Sequence, residues 1–190
     1  MSLINVNLQE MKVLVVDDSR IVRLALKQFL REMSIETVEL AEDGADAIKK
    51  LREFPADLAL CDLHMAPLDG IEFTRLLRSA EDSPNPYLPV LILTADATAA
   101  QLRNALGAGA NDFMSKPIKL DSLRRKIQGL FARPMVFVRD GRYLKPLRAS
   151  GRPEGAPDSR YGPRPEAKSG ADMNALADGA LLTRADLGIQ

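Results

Sequence analysis

Three aspartates stand at the ends of two short, consecutively apolar stretches of the chain. Asp17 and Asp18 directly follow residues 12–16, and Asp62 ends residues 57–62. Such runs are typical of strands buried on both faces of a parallel sheet, whose carboxyl ends hold ligands. Three carboxylates with His64 as the nearby histidine favour a hard cation such as Mg²⁺, and a carboxylate can itself become an aspartyl phosphate. The sequence therefore predicts magnesium-assisted phosphoryl chemistry.

Two further polar residues end later predicted strands. Thr94 offers a hydroxyl donor, and Lys116 offers a cation that could neutralise a transferred phosphoryl group. Taken alone, the Asp17–Asp18 pair would be interpreted as a helix cap, and Lys116 as a solvated surface lysine. The agreement of all these positions with strand ends favours a common site.

These residues are positioned by a regular alternation of predicted strands and helices. The strands are expected at residues 12–16, 37–41, 57–62, 90–93 and 111–115, and the helices at 19–33, 43–51, 71–77, 98–106 and 120–131. Alternation of this kind predicts an α/β fold of the flavodoxin-like, doubly wound type, with a five-stranded parallel sheet in the order 2-1-3-4-5. In that order strands 1 and 3 are neighbours, so the three carboxylates converge.

Apolar spacing also predicts which helix faces are buried. In the first helix the expected core residues are Ile21, Leu24, Ala25, Phe29 and Leu30, and in the third helix they include Leu76. The fourth helix is expected to stop at Gly107 and Gly109.

Composition divides the chain near residue 131. Residues 1–130 carry a net charge of −3 and residues 131–190 a net charge of +3, and the second part holds six of the twelve prolines. We therefore expect a folded domain at 10–131 and a Pro/Gly/Arg-rich, largely irregular and mostly disordered tail at 132–190. A hairpin is predicted at 135–145 around Asp140-Gly141, and it would have to dock on the domain because isolated hairpins are marginally stable.

The sequence favours a cytoplasmic protein that does not contact membranes. No apolar run approaches the ~20 residues that a membrane helix needs, and no secretion signal is apparent at the N-terminus. A single cysteine, Cys61, fits a reducing compartment.

The motifs Asp17-Asp18, Asp62, Thr94 and Lys116-Pro117, in this order and spacing, resemble the receiver domain of bacterial two-component response regulators. The loop at residues 62–70 is similar to that family's loop after the phosphorylated aspartate, with Ala66 where a proline is more usual. The resemblance covers roughly residues 10–131.

This resemblance implies a role for each acidic residue. Asp62 would accept a phosphoryl group from a sensor histidine kinase or a histidine phosphotransfer protein. Asp18, Asp62 and the backbone carbonyl of His64 would ligate Mg²⁺, and Asp17 would act mainly through water.

The resemblance assigns the remaining motif residues as well. Thr94 would hydrogen-bond the phosphoryl oxygen, Lys116 would pair with it, and the Lys116–Pro117 peptide bond would be cis. Phe113 stands where the family carries an aromatic switch residue that moves together with Thr94. Phe113 lacks the hydroxyl of the tyrosine often found there, so a switch would act through packing.

The resulting interpretation is a stand-alone receiver that signals to an unknown downstream protein, or a phosphoryl shuttle or sink in a relay. It would not be an enzyme beyond its own phosphorylation and dephosphorylation. A rival is a phosphohydrolase of the haloacid-dehalogenase type, but that class needs an Asp where His64 stands. Another is a transcription factor acting through the tail, although its ten basic residues are scattered among seven acidic ones, so direct DNA binding is not expected.

Overall fold

Five short strands alternate with five helices in the computed structural model, which describes residues 7–96, 98–132 and 134–147. A two-stranded hairpin follows them. The bounds are β1 Lys12–Val16, α1 Arg20–Glu32, β2 Thr37–Ala41, α2 Gly44–Lys50, β3 Leu58–Asp62, α3 Gly70–Arg78, β4 Val90–Thr94, α4 Ala99–Ala108, β5 Asp112–Ser115, α5 Leu120–Phe131, β6 Phe137–Asp140 and β7 Tyr143–Pro146.

The first five strands form one parallel sheet in the order β2-β1-β3-β4-β5, which confirms the predicted fold class. Alternate residues of β1 enter two separate apolar layers: Leu14 packs in the layer with α2, α3 and α4, and Val15 packs in the layer with α1 and α5. Both faces of the sheet are thus covered, which explains why its strands are apolar at consecutive positions. In the part of the chain that the structure describes, no helix has the length and hydropathy to cross a membrane.

The buried face of α1 differs from the predicted one. Ile21 is 81% exposed, Leu24 is 50% exposed and Ala25 is also exposed, whereas Leu26 and Leu30 are buried. Apolar residues lie on both the buried and the exposed side of this helix. Helical spacing alone therefore assigned residues from both sides to the core. The prediction for α3 is wrong in the same way at Leu76, which is 49% exposed rather than buried.

Helix α4 is longer than its glycines suggested. It continues through Gly107 and ends at Gly109, which adopts a φ of 105° at the C-cap. Gly107 is exposed, and a Cβ at this position would meet nothing within 4 Å. Because only Gly109 has the left-handed conformation that ends helices, only this second glycine acts as the terminator.

The chain continues past the sheet into a hairpin that docks on the end of α3. Strands β6 and β7 pair around Gly141, whose φ is 60°, and Leu144 is buried. Tyr143 forms a β-bridge with Ser79, next to a hydrogen bond that the Ala80 amide donates to a hairpin carbonyl. The hairpin therefore lies in the stretch where the sequence predicts one. Residues 148–190, with their predicted disorder, lie outside the described residues.

Arg78, the last residue of α3, is completely buried under this hairpin. Its guanidinium donates hydrogen bonds of 2.9 Å each to the carbonyls of Gly109 and Pro86 and to the Oδ1 of Asn111. The ring of Phe137 covers the guanidinium at 5.1 Å. Burial lowers the pKa of Arg78 to about 10, so the side chain stays charged at neutral pH. Three carbonyl acceptors and one aromatic face offset the loss of water around this cation.

Replacing Phe137 with alanine is expected to lower the free energy of unfolding by about 2 kcal/mol. The variant loses the cover over the Arg78 guanidinium and the edge-to-face contact with Tyr87, whose ring centroid lies 5.5 Å away. Urea unfolding of the full chain measures the difference. Val138→Ala, on the same strand but 43% exposed, is the matched control and should change stability by less than about 0.5 kcal/mol. Equal effects of the two substitutions would mean that the hairpin is not anchored through Phe137.

Candidate functional site

The three aspartates meet at the carboxyl edge of the sheet. In the register between β1 and β3, Val16 lies opposite Cys61, so the residues that follow them, Asp17 and Asp62, are side by side. One carboxylate oxygen from each of Asp17, Asp18 and Asp62 lies within 4.8 Å of the others. Asp17 and Asp62 are buried, whereas Asp18 is exposed. The structure thus brings together the acidic residues selected from the sequence.

Lys116 completes this cluster from the loop after β5. Its Nζ lies 2.7 Å from Oδ2 of Asp17 and 2.8 Å from Oδ1 of Asp62. Its amide donates to the carbonyl of Thr94, and its peptide bond to Pro117 is cis. Burial favours a lower pKa for Lys116, but the hydrogen bonds and charges of the two aspartates outweigh it and raise the pKa. One ammonium faces three carboxylates, so the site keeps an excess of negative charge.

Asp62 sits in an environment that disfavours its charged form. It is 6% exposed, and burial raises its pKa above the usual value of 3.8. Lys116 opposes this shift and Asp17 adds to it. A carboxylate that is poorly solvated and paired with one cation is well placed to bind a second cation or an electrophilic group.

The other two aspartates differ in how their oxygens are engaged. Oδ1 of Asp17 accepts a hydrogen bond of 2.9 Å from the Ser19 amide, and its Oδ2 faces Lys116. Among the described residues, no hydrogen bond or ion pair engages the carboxylate of Asp18. Three clustered carboxylates, of which that of Asp18 is unengaged, fit Mg²⁺, because this ion takes oxygen ligands and keeps part of its water shell. Of these two aspartates, Asp17 already has both oxygens engaged, whereas the carboxylate of Asp18 is available to a cation.

Thr94 and Phe113 lie on the neighbouring strands β4 and β5. Thr94 is fully buried, and its hydroxyl accepts from the amide of Asp96 at 3.2 Å and donates to the carbonyl of the same residue at 3.0 Å. Phe113 is half-buried opposite Ile92, and the Nζ of Lys126 lies 5.4 Å from its ring centroid. The proposed switching roles of these two residues stay predictions.

His64 lies at the mouth of the site, two residues after Asp62. Its side chain is exposed, and its Nε2 lies 3.1 Å from the amide nitrogen of Gln101 on α4. This contact links the loop that follows β3 to the first turn of α4. No pattern in the sequence predicts it, because nothing in the residue types pairs His64 with Gln101.

Two residues near the carboxylates have roles that the sequence does not predict. Arg23 donates from Nη1 to the carbonyls of Asp17 at 2.5 Å and Asp18 at 3.0 Å. A Cβ added at Gly70 would lie 2.2 Å from the carbonyl oxygen of Asp62. Each carries a weak sequence signal: a cation in the first turn of a helix opposes the helix dipole, and a glycine at the first helical position lowers helix propensity.

Known proteins resemble this chain over the same region. The family model for the response regulator receiver domain matches residues 13–128. Response regulator MprA of Mycobacterium ulcerans is 38% identical over 122 residues, which cover 64% of this chain and 50% of MprA. Chemotaxis protein CheY-3 of Vibrio cholerae is 32% identical over 125 residues, which cover 66% of this chain and 95% of CheY-3.

A solved structure shows the same likeness. The receiver domain of the sensor histidine kinase PA1611 from Pseudomonas aeruginosa, solved with a magnesium ion coordinated in its active-site cleft, superposes with a TM-score of 0.58 at 30% identity, covering 65% of this chain and 98% of that domain. The chain spans about half the length of the MprA proteins that it matches. Because the family model covers more than half of the chain and the fold, strand order and acidic cluster agree with it, this chain belongs to the response regulator receiver family.

Proposed function

We propose that this chain is a phosphoacceptor in a two-component phosphorelay, phosphorylated on Asp62 with Mg²⁺ as its cofactor. The observation that carries the proposal is the ammonium of Lys116 held between Asp17 and Asp62 beside the unengaged carboxylate of Asp18. It acts on no substrate besides its own phosphoryl group, and it signals by contact with a downstream protein.

The proposed transfer uses an oxygen of Asp62 as nucleophile. A new bond forms between this oxygen and the phosphorus while the bond from phosphorus to the donor's histidine nitrogen breaks. The electron pair of that bond stays on the nitrogen, and the donor leaves as neutral imidazole because its other ring nitrogen carries a proton. Lys116 then pairs with a phosphoryl oxygen, and the Thr94 hydroxyl donates a hydrogen bond to another. The protein thus contributes position and charge, which phosphoryl transfer chiefly requires.

The magnesium ligands in this proposal are the carboxylates of Asp18 and Asp62 and the backbone carbonyl of His64, with Asp17 acting through water. The engagement of both Asp17 oxygens supports this division. When bound, Mg²⁺ neutralises negative charge on the phosphoryl oxygens. The magnesium ion in the cleft of the PA1611 receiver domain, 30% identical in sequence, supports the same site here.

Incubation with acetyl phosphate and Mg²⁺, followed by intact mass spectrometry, tests this proposal. We expect an adduct of about 80 Da, the mass of one phosphoryl group. The adduct should form in Mg²⁺ and disappear when EDTA replaces the metal. Adduct formation that is equal with and without Mg²⁺ would contradict the role assigned to the three carboxylates.

The N-terminal half of α1 offers the phosphodonor a contact surface. Ile21 and Leu24 are exposed apolar side chains three residues apart, and their helix begins directly after Asp18. Apolar side chains exposed beside a charged site are typical of protein contacts. We propose that a phosphohistidine protein docks on this face.

We expect Ile21→Ala to lower the rate of phosphotransfer from a phosphohistidine protein about tenfold, which is the cost of losing one central interface residue. The donor is chosen as one that phosphorylates the wild type. Phosphorylation by acetyl phosphate should stay unchanged, since a small donor does not use the surface. Phosphotransfer time courses with radiolabelled donor measure both rates. Leu76→Ala removes an equally apolar, exposed residue from α3 and should leave both rates unaffected. Equal slowing in both variants would place the contact elsewhere.

A further inference from the structure

We infer that Arg23 is a positioning residue for the magnesium site, which it serves by holding the backbone on both sides of Asp18. The inference rests on the proposed function. A single nitrogen of its guanidinium, Nη1, donates to the carbonyl of Asp17 at 2.5 Å and to the carbonyl of Asp18 at 3.0 Å. Arg23 lies in α1, so the helix carries the cation that secures the loop preceding it.

These two hydrogen bonds fix the direction of the Asp18 side chain. The Asp17 carbonyl belongs to the peptide unit before the Cα of Asp18, and the Asp18 carbonyl belongs to the unit after it. Because each peptide unit is planar, holding both of them fixes the two backbone dihedrals of Asp18 and thereby its Cα–Cβ bond. Among the described residues no side chain contacts the Asp18 carboxylate through a hydrogen bond or an ion pair. The orientation of this carboxylate therefore depends on the backbone.

The position of Arg23 has no other explanation in the described contacts. A cation within the first four residues of a helix opposes the helix dipole, and the first turn of α1 contains no acidic residue that would balance it. No ion pair joins Arg23 to a carboxylate in the described part of the chain. Its hydrogen bonds to the two carbonyls account for its placement.

Charge and positioning predict opposite effects when Arg23 is removed. A guanidinium near a metal site repels the metal, so on charge alone its loss should tighten Mg²⁺ binding. If Arg23 instead aims Asp18, its loss should weaken Mg²⁺ binding although a repulsive charge is gone. The sign of the change therefore separates the two roles.

The test compares Arg23→Met with Arg20→Met in the full chain. Methionine keeps an apolar stem of similar length, which limits loss of packing. Arg20 is an exposed arginine in the same turn, so its replacement makes the same change in net charge. Mg²⁺ dissociation constants come from calorimetric titration, and the rise of the unfolding midpoint with added Mg²⁺ provides a second measure that needs no phosphodonor.

We expect Arg23→Met to raise the Mg²⁺ dissociation constant about tenfold or more, as for other groups that orient metal ligands. Arg20→Met should change it by less than about twofold, and Arg23→Lys, which keeps a donor with shorter reach, should fall between Arg23→Met and the wild type. Unchanged or tighter Mg²⁺ binding by Arg23→Met would overturn the inference while leaving the proposed function intact. A wild type that shows no Mg²⁺ binding would overturn both.

Discussion

Asp62→Asn is expected to reduce the acetyl phosphate adduct below detection. Asparagine has nearly the same shape as aspartate but presents an amide in place of a nucleophilic carboxylate oxygen. Intact mass spectrometry in Mg²⁺ measures the adduct, with Asp121→Asn as the control. Asp121 is an exposed aspartate in the first turn of α5, and its replacement should leave the adduct at the wild-type level. An adduct of equal yield in Asp62→Asn would show that another residue accepts the phosphoryl group.

The same variant is expected to be more stable than the wild type at neutral pH. Burial raises the folded-state pKa of Asp62 above its usual value of 3.8, so ionisation of this group is harder in the folded chain than in the unfolded one. The wild type therefore loses stability as the pH rises through the folded-state pKa, and Asp62→Asn is spared this loss.

Unfolding midpoints measured without Mg²⁺ across the pH range above 3.8 check this sign. The two proteins should have nearly equal midpoints at the acidic end. As the pH rises, the midpoint of the variant should exceed that of the wild type by a growing margin. Lys116 keeps its 2.7 Å pair with Asp17 in the variant, so no buried cation is left unpaired. A variant that is less stable at neutral pH would mean that the pair between Lys116 and Asp62 outweighs the cost of burying the charge. If Asp62→Asn were unfolded, the absence of an adduct would no longer identify Asp62 as the phosphoacceptor.

Gly70→Ala is expected to lower the free energy of unfolding by about 3 kcal/mol. Helix propensity alone predicts the opposite sign, because Gly70 is the first residue of α3 and alanine favours helices. The new Cβ, however, would lie 2.2 Å from the carbonyl oxygen of Asp62 and 3.2 Å from the Cα of Leu63. Both are backbone atoms, so relief requires moving the strand end that carries the proposed phosphoacceptor, and adduct formation should slow as well.

Gly129→Ala provides the matched control. Gly129 lies within α5, and a Cβ there would meet nothing within 4 Å. This substitution should raise the free energy of unfolding by roughly 0.5–1 kcal/mol. Urea unfolding measures both variants. If Gly70→Ala proves neutral or stabilising, the contact between α3 and the end of β3 is looser than the structure shows.

The fold and the acidic cluster could be predicted from the sequence because each rests on a local pattern. Consecutive apolar residues marked the strands, and the sheet order placed Asp17, Asp18 and Asp62 at one edge. Lys116 followed from its position after the last strand of the sheet. In these cases the site is defined by residue type and by the strand end that carries the residue. Both properties can be read from the sequence.

The parts that escaped prediction depend on contacts between segments distant in sequence or on backbone shape. Periodicity could not decide between the two apolar stripes of α1, because both satisfy helical spacing and only packing selects Leu26 over Leu24. Arg23 donates to backbone carbonyls, which every residue has. The types of the neighbouring residues therefore could not reveal its hydrogen-bond partners. The burial of Arg78 requires a hairpin that begins almost 60 residues later.

That hairpin changes where the folding unit of this chain ends. The family match stops at residue 128, yet the ring that covers the buried guanidinium of Arg78 belongs to residue 137. A protein trimmed to the family boundaries would open that guanidinium to water and free the residues that end α3. The shortest autonomously folding fragment should therefore extend through β7, and the hairpin should unfold together with the sheet in one cooperative transition.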